Sequence, residues 1–176
     1  FMSTIQSFQH FIGQDCIRLA YCDNHPSLIA ATSHFGIPRR APAPQEHKEN
    51  GIIENVNRRV LQGARASLMQ AGLPTCFWPL AIEHWSMLYN TLDKPDQLSP
   101  YSMRHNGDLF GALRIPFGCG VYYYPAQSKY EHDSKFETRL SYGIFVGYEL
   151  DPGLKFARYL VYDLYDFCNV SLNQLT

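Results

Sequence analysis

A chain of 176 residues, 45% of them apolar and 18% charged, can close a packed core and is not a disordered polyelectrolyte. Its net charge of −1 excludes strong steering of the whole molecule toward nucleic acid, and no apolar run approaches the roughly 18 residues of a membrane span. No membrane partner is therefore expected. Five cysteines (Cys16, Cys22, Cys76, Cys119, Cys168) form no C-x-x-C pair, which predicts reduced, mostly buried thiols in an intracellular protein.

Taken in order, residues 1–13 carry Ile5, Phe8, Phe11 and Ile12 at helical spacing, and Gly13 ends that segment. The chain opens on Phe1, within this helical pattern, and reads as a segment of a longer protein. Cys16 to Cys22 reads as a short apolar strand, with Asp23 and Asn24 at its carboxyl end and Pro26 opening a helix to about His34. An acid at a strand's carboxyl end is where α/β folds place ligand-binding groups. Asp-Asn is equally ordinary turn chemistry, and position alone does not separate the two. Gly36-Ile37-Pro38 reads as a second short strand or extended segment, and residues 41–50 as a polar, Pro-bearing loop.

Asn50 is a suitable N-cap for a long helix in which Ile53, Val56, Val60, Ala64 and Leu68 fall on one stripe, predicted to be buried. Glu54 sits at the margin of that stripe, with Arg58 and Arg65 on its side of the helix. A solvated pair of Glu54 with Arg58 at i,i+4 explains these residues structurally; an acid awaiting a cation or metal explains them functionally. Residues 38–65 hold six bases (Arg39, Arg40, Lys48, Arg58, Arg59, Arg65) against three acids (Glu46, Glu49, Glu54), a local excess hidden in the overall balance. Gly72-Leu73-Pro74 ends the helix. A second one follows from about Phe77 to Leu92, with Trp78, Ala81, Ile82, Trp85, Leu88 and Tyr89 predicted as its core face.

Residues 93–108 hold the breakers Asp93-Lys94-Pro95-Asp96, Ser99-Pro100 and Asn106-Gly107, and read as linker. Beyond them Cys119–Tyr124, Gly143–Tyr148 and Tyr159–Tyr162 are aromatic and β-branched runs, with Asp151-Pro152-Gly153 as a turn. Short strands of this kind suggest a small barrel or a compact antiparallel sheet. Neither His25 nor His47 has a second His or Cys at ligand spacing, so neither is assigned to a metal.

Arg18-Leu19 with Asp23-Asn24, then Phe35-Gly36-Ile37, Ala43-Pro44, Asn50-Gly51-Ile52-Ile53-Glu54 and Asn57-Arg58-Arg59-Val60-Leu61 form an ordered series. Continued through Ala71-Gly72-Leu73-Pro74 and Phe77-Trp78, and later Phe117-Gly118-Cys119 and Gly143–Tyr148, it resembles the integrase of copia-type LTR retrotransposons. The resemblance covers roughly residues 16–92 and 115–167. It implies an α/β fold: residues 1–92 as the C-terminal part of a ribonuclease H-like catalytic core with two long helices, 93–108 as linker, and 109–176 as a small SH3-like β-barrel.

Functionally, the resemblance implies DNA integration as part of a Pol polyprotein, with strands cut and joined by two-metal transesterification. Asp23 and Glu54 would be the second and third catalytic, metal-holding carboxylates. Lys48, Asn50, Arg58 and Arg65 would be the nucleic-acid contacts. Mg²⁺ or Mn²⁺ would serve the intact parent, with none expected to bind this segment tightly. Element-end and target DNA, self-association and a nuclear location follow in the same way. Three departures stand out: the family's first catalytic Asp is expected upstream of Phe1, the Asp23–Glu54 spacing is shorter than usual, and His47 replaces a proline of the active-site loop. They leave a catalytic segment, a non-catalytic nucleic-acid-binding or assembly module and a non-functional relic as the three readings.

Overall fold

The computed structural model describes residues 2–22, 24–41, 51–125 and 139–169. The chain is a mixture of helix and sheet divided into two compact units, Phe1–Arg59 with Leu150–Ala157, and Val60–Glu149 with Arg158–Thr176.

The first unit begins with α1 (Met2–Ile12), β1 (Ala20–Tyr21), α2 (Pro26–His34) and β2 (Arg39–Arg40). Ile5 and Ala31 are buried where α1 meets α2, and Phe8 packs on Phe35 with ring centroids 5.9 Å apart. The strands pair in parallel, Ala20 with Arg39 and Tyr21 with Arg40, so α2 is a crossover between them. The expected strand at Gly36–Pro38 is displaced to Arg39–Arg40 because Gly36-Ile37 completes the end of α2. Gly36 takes φ +62°, its N–H bonds Ser33 O at 3.1 Å, and the Ile37 N–H bonds Thr32 O at 2.9 Å, the paired bonds of a Schellman terminus. The first strand likewise contracts from Cys16–Cys22 to two residues. At Gly13 (φ +60°) the backbone of Gly153 lies so close that an added Cβ would stand 2.7 Å from its nitrogen, and the Gly153 N–H donates to His10 O at 3.0 Å.

A 21-residue helix, α3 (Gly51–Ala71), leads into the second unit. After a 3₁₀ turn at Thr75–Phe77 comes α4 (Trp78–Thr91). Gly63 lets the Trp85 indole lie against the backbone of α3, in the space a Cβ would fill. Ala64 and Leu68 then join Phe77, Ala81, Phe117 and Val146 in the core of this unit. The buried stripe predicted for α3 is realised only in that half. Ala64 and Leu68 are 4% and 8% exposed, whereas Ile53 and Val56 are 53% and 49% exposed. Helical period gave the right face, but the packing partners named above cover only its C-terminal turns.

On α4 the buried residues are Ala81, His84, Met87 and Thr91, while Trp78 is 58% exposed. The core face is thus turned by roughly a quarter of a helical revolution from the predicted aromatic stripe. Ala81, His84, Met87 and Thr91 face the core, and Trp85 and Tyr89 stack on each other at 5.1 Å toward its edge.

Residues 93–108 contain the short helix α5 (Pro100–Arg104), packed on α4. Ser99 caps it, accepting from Ser102 N–H at 3.2 Å, and the Ser99 N–H donates to Asp93 Oδ1 at 2.8 Å. That bond holds the Asp93 carboxyl below its usual pKa. The three-stranded sheet follows, with β3 (Gly120–Tyr123), β4 (Ser141–Asp151) and β5 (Lys155–Asp163) in that order. Gly120 pairs with Ile144 and Tyr123 with Ser141 in an antiparallel ladder. Asp163 then caps α6 (Leu164–Asn169), accepting from the Tyr165 N–H at 2.8 Å. The small antiparallel sheet expected from the aromatic runs is present. All five cysteines are free, but Cys16, Cys76 and Cys168 are exposed rather than buried, because neighbours such as Phe77 and Phe167 take the core positions. Among the described residues no helix is long and apolar enough to cross a membrane.

Candidate functional site

Glu54 lies in the first turn of α3 and is exposed. An anion there is favoured by the unpaired N–H groups of the helix start. Arg58 does not pair with it. Its Nη2 donates instead to Asn55 Oδ1 at 2.9 Å, so the i,i+4 ion pair expected on structural grounds is not formed. At 100° per residue Glu54, Arg58 and Arg65 fall within about 40° of one another, spread over roughly 16 Å of helix axis. All three are exposed. Glu54 and Arg58, together with the exposed Ile53 and Val56, make the first half of α3 a surface rather than a core element.

Asp23, Lys48 and Asn50, the other residues singled out from the sequence, lie outside the described residues. The residues on either side of Asp23 are described. Cys22 N–H donates to Arg40 O at 3.2 Å, closing the last rung of the β1–β2 ladder. Beyond it Arg39 Nη1 donates to Asn24 Oδ1 at 2.7 Å. Residues 22 and 24 are therefore both anchored to the dipeptide Arg39-Arg40, by a backbone and a side-chain bond respectively. Sequence reasoning counted these arginines only toward local charge. Their proximity to Asn24 follows from a strand register that no local pattern reveals.

Chemically, an exposed carboxylate offers hard oxygen donors of the kind Mg²⁺ and Mn²⁺ take, but one carboxylate is not a site. Among the described residues no cluster of three or more His, Cys, Asp or Glu is arranged to hold a metal. The guanidinium groups of Arg58 and Arg65 can contact phosphate oxygens through paired N–H donors.

No protein-family model matches the chain. It is 28% identical over 141 residues to the retrovirus-related Pol polyprotein from transposon RE1 of Arabidopsis thaliana, covering 74% of the chain and 9% of that protein. It is 31% identical over 120 residues to the Gag-Pol polyprotein of transposon Ty1-DR6 of Saccharomyces cerevisiae, covering 66% of the chain and 6% of that protein. The truncated Ty1-A Gag-Pol polyprotein of the same yeast matches at 31% over 120 residues, 9% of its length. The chain spans less than a tenth of the length of the curated relatives it matches. Its homologues are retrotransposon Pol polyproteins.

Proposed function

Starting from this homology with retrotransposon Pol polyproteins, we propose that the chain is the DNA-integration segment of such a polyprotein. On this reading residues 1–92 are the C-terminal part of a ribonuclease H-like core, and the β3–β5 sheet belongs to an SH3-like domain. The observation that carries it is the exposed row Glu54, Arg58 and Arg65 along α3, the first two in its uncovered half. A carboxylate at the helix start and two arginines beyond it suit a surface that meets a phosphodiester backbone.

Asp23 and Glu54 would hold Mg²⁺ or Mn²⁺, and such ions, when bound, stabilise the attacking and leaving oxygens of an in-line displacement. Arg58 and Arg65, with Lys48 and Asn50, would fix the position of the DNA backbone. Two carboxylates provide fewer oxygen donors than a pair of ions takes, so the isolated chain is expected to bind DNA without joining its ends.

A salt titration of DNA binding tests this. Phosphate contacts release counterions, so affinity should fall steeply as salt rises, and Arg58→Ala with Arg65→Ala should lower the log–log slope by nearly 2. An unchanged slope in the folded double variant removes these arginines from the DNA surface. DNA binding that keeps its arginine dependence but does not respond to a divalent ion favours a non-catalytic binding module.

A further inference from the structure

Among the described residues His84 is a strongly buried titratable group that the proposed DNA chemistry does not use. It is 2% exposed, in the middle of α4. Its Nε2 lies 2.9 Å from Ile115 O, and since a carbonyl only accepts, Nε2 carries the proton. Nδ1 is buried and has no hydrogen-bond partner. The ring stacks on Tyr148 at 5.8 Å and 11°, with Phe117 at 5.4 Å and Phe145 at 5.8 Å.

The same bonds strap residues 113–117 between helix and sheet. Tyr148 Oη donates to Leu113 O and accepts from Ile115 N–H, both at 2.9 Å. The Leu113 N–H donates to Tyr159 Oη at 2.9 Å, and Arg114 Nη2 donates to Thr91 O at 2.6 Å. We propose that His84 is an acid-sensitive latch: neutral, it holds the 113–117 strap on α4, and on taking a proton it lets the strap go.

A proton on Nδ1 would place a second N–H where no acceptor stands, and a charge where water is excluded. The groups around the ring do not offset this. The ring's stacking partner is Tyr148, and around Tyr148 stand Arg114, a cation from the strap, Tyr159 from the sheet and Cys119 before β3, with Phe110, Tyr101 and His105 behind it. Burial pushes the Tyr148 phenol and the Cys119 thiol up, so both stay neutral, and no carboxylate is among these groups. The aromatic faces attract an imidazolium but cannot accept its extra N–H. Burial accordingly holds His84 below its usual pKa of 6.5, against the weaker opposing effect of the Ile115 bond. A depressed folded-state value means that the unfolded chain binds the proton first. Stability from this group is complete above about pH 6.5 and falls as pH drops from there toward the folded-state value.

Amide exchange tests the latch, with Ile115 as reporter and rates corrected for intrinsic pH dependence. Ile115 protection in the wild-type chain should fall by up to about tenfold per pH unit below about pH 6.5. His84→Gln keeps an N–H donor but cannot titrate, and should be flat over the same range. Long-range ¹H–¹⁵N spectra of the wild-type imidazole, which need no variant, should show the Nε2–H tautomer at pH 7 and proton uptake coincident with Ile115 opening. Protection that does not change with pH, equal acid loss in His84→Gln, or a protonated His84 beside a protected Ile115 would each overturn the proposal.

Discussion

The two halves of α3 carry the same kind of apolar repeat and meet opposite fates. Ala64 and Leu68 are sealed under Phe77, Phe117 and Val146, while Ile53 and Val56 stand in solvent beside Glu54 and Arg58. Periodicity therefore fixes which face of a helix is apolar but not how far along it a partner extends. The half that lacks cover holds Glu54 and Arg58, and Arg65 continues their row on the exposed side of the other half. On the proposed function this surface meets a large polyanion, and such a surface cannot also be core.

Stability measurements should sharpen this contrast, beginning with the largest effect. Leu68→Ala removes buried methyl groups from the core and should cost about 2–4 kcal/mol in urea unfolding. Ile53→Ala should cost less than about 0.5 kcal/mol. Similar losses at the two positions would mean that the first half of α3 is covered in solution.

Glycines on the same helix give a smaller effect of opposite signs. Gly63→Ala drives a methyl group into the Trp85 indole and should destabilise by about 1–3 kcal/mol. Gly51 has nothing within 4 Å of where a Cβ would stand, so Gly51→Ala should be neutral or stabilise by up to about 1 kcal/mol. Thermal melting of the two variants checks both signs. Smallest of all, Arg58→Ala should shift stability by no more than about 0.5 kcal/mol, since it breaks only an exposed bond to Asn55. A larger loss would make Arg58 a structural residue of the helix.

The local part of the fold was readable from the residues. Gly72 followed by Pro74 marks the end of α3, and the aromatic runs locate β3, β4 and β5. These signals work because each depends on neighbours a few residues away. What depended on partners distant in sequence was hidden. His84 lies between Ala81 and Trp85 in a helix whose large aromatic residues drew the predicted core face toward themselves. The strap residues Ile115 and Phe117 and the sheet residues Phe145 and Tyr148 make His84 interior. At the candidate site, Glu54 in the first turn of α3 could be read from Asn50-Gly51 and the pattern after it. The exposure of that turn, and the bond from Arg39 to Asn24, could not. The first required knowing where the core stops, the second a parallel strand register.

The proposed function requires that Asp23 and Glu54 serve one divalent ion. Ligands of a shared ion each lie about 2.1 Å from it, so the two carboxyl groups should approach within roughly 8 Å. Paramagnetic broadening by Mn²⁺ tests this without requiring tight binding. Substoichiometric Mn²⁺ should broaden the amides of Asn24 and Glu54 together, and either Asp23→Asn or Glu54→Gln should abolish both effects. Broadening at one residue without the other, or broadening that survives Asp23→Asn, would contradict the shared site.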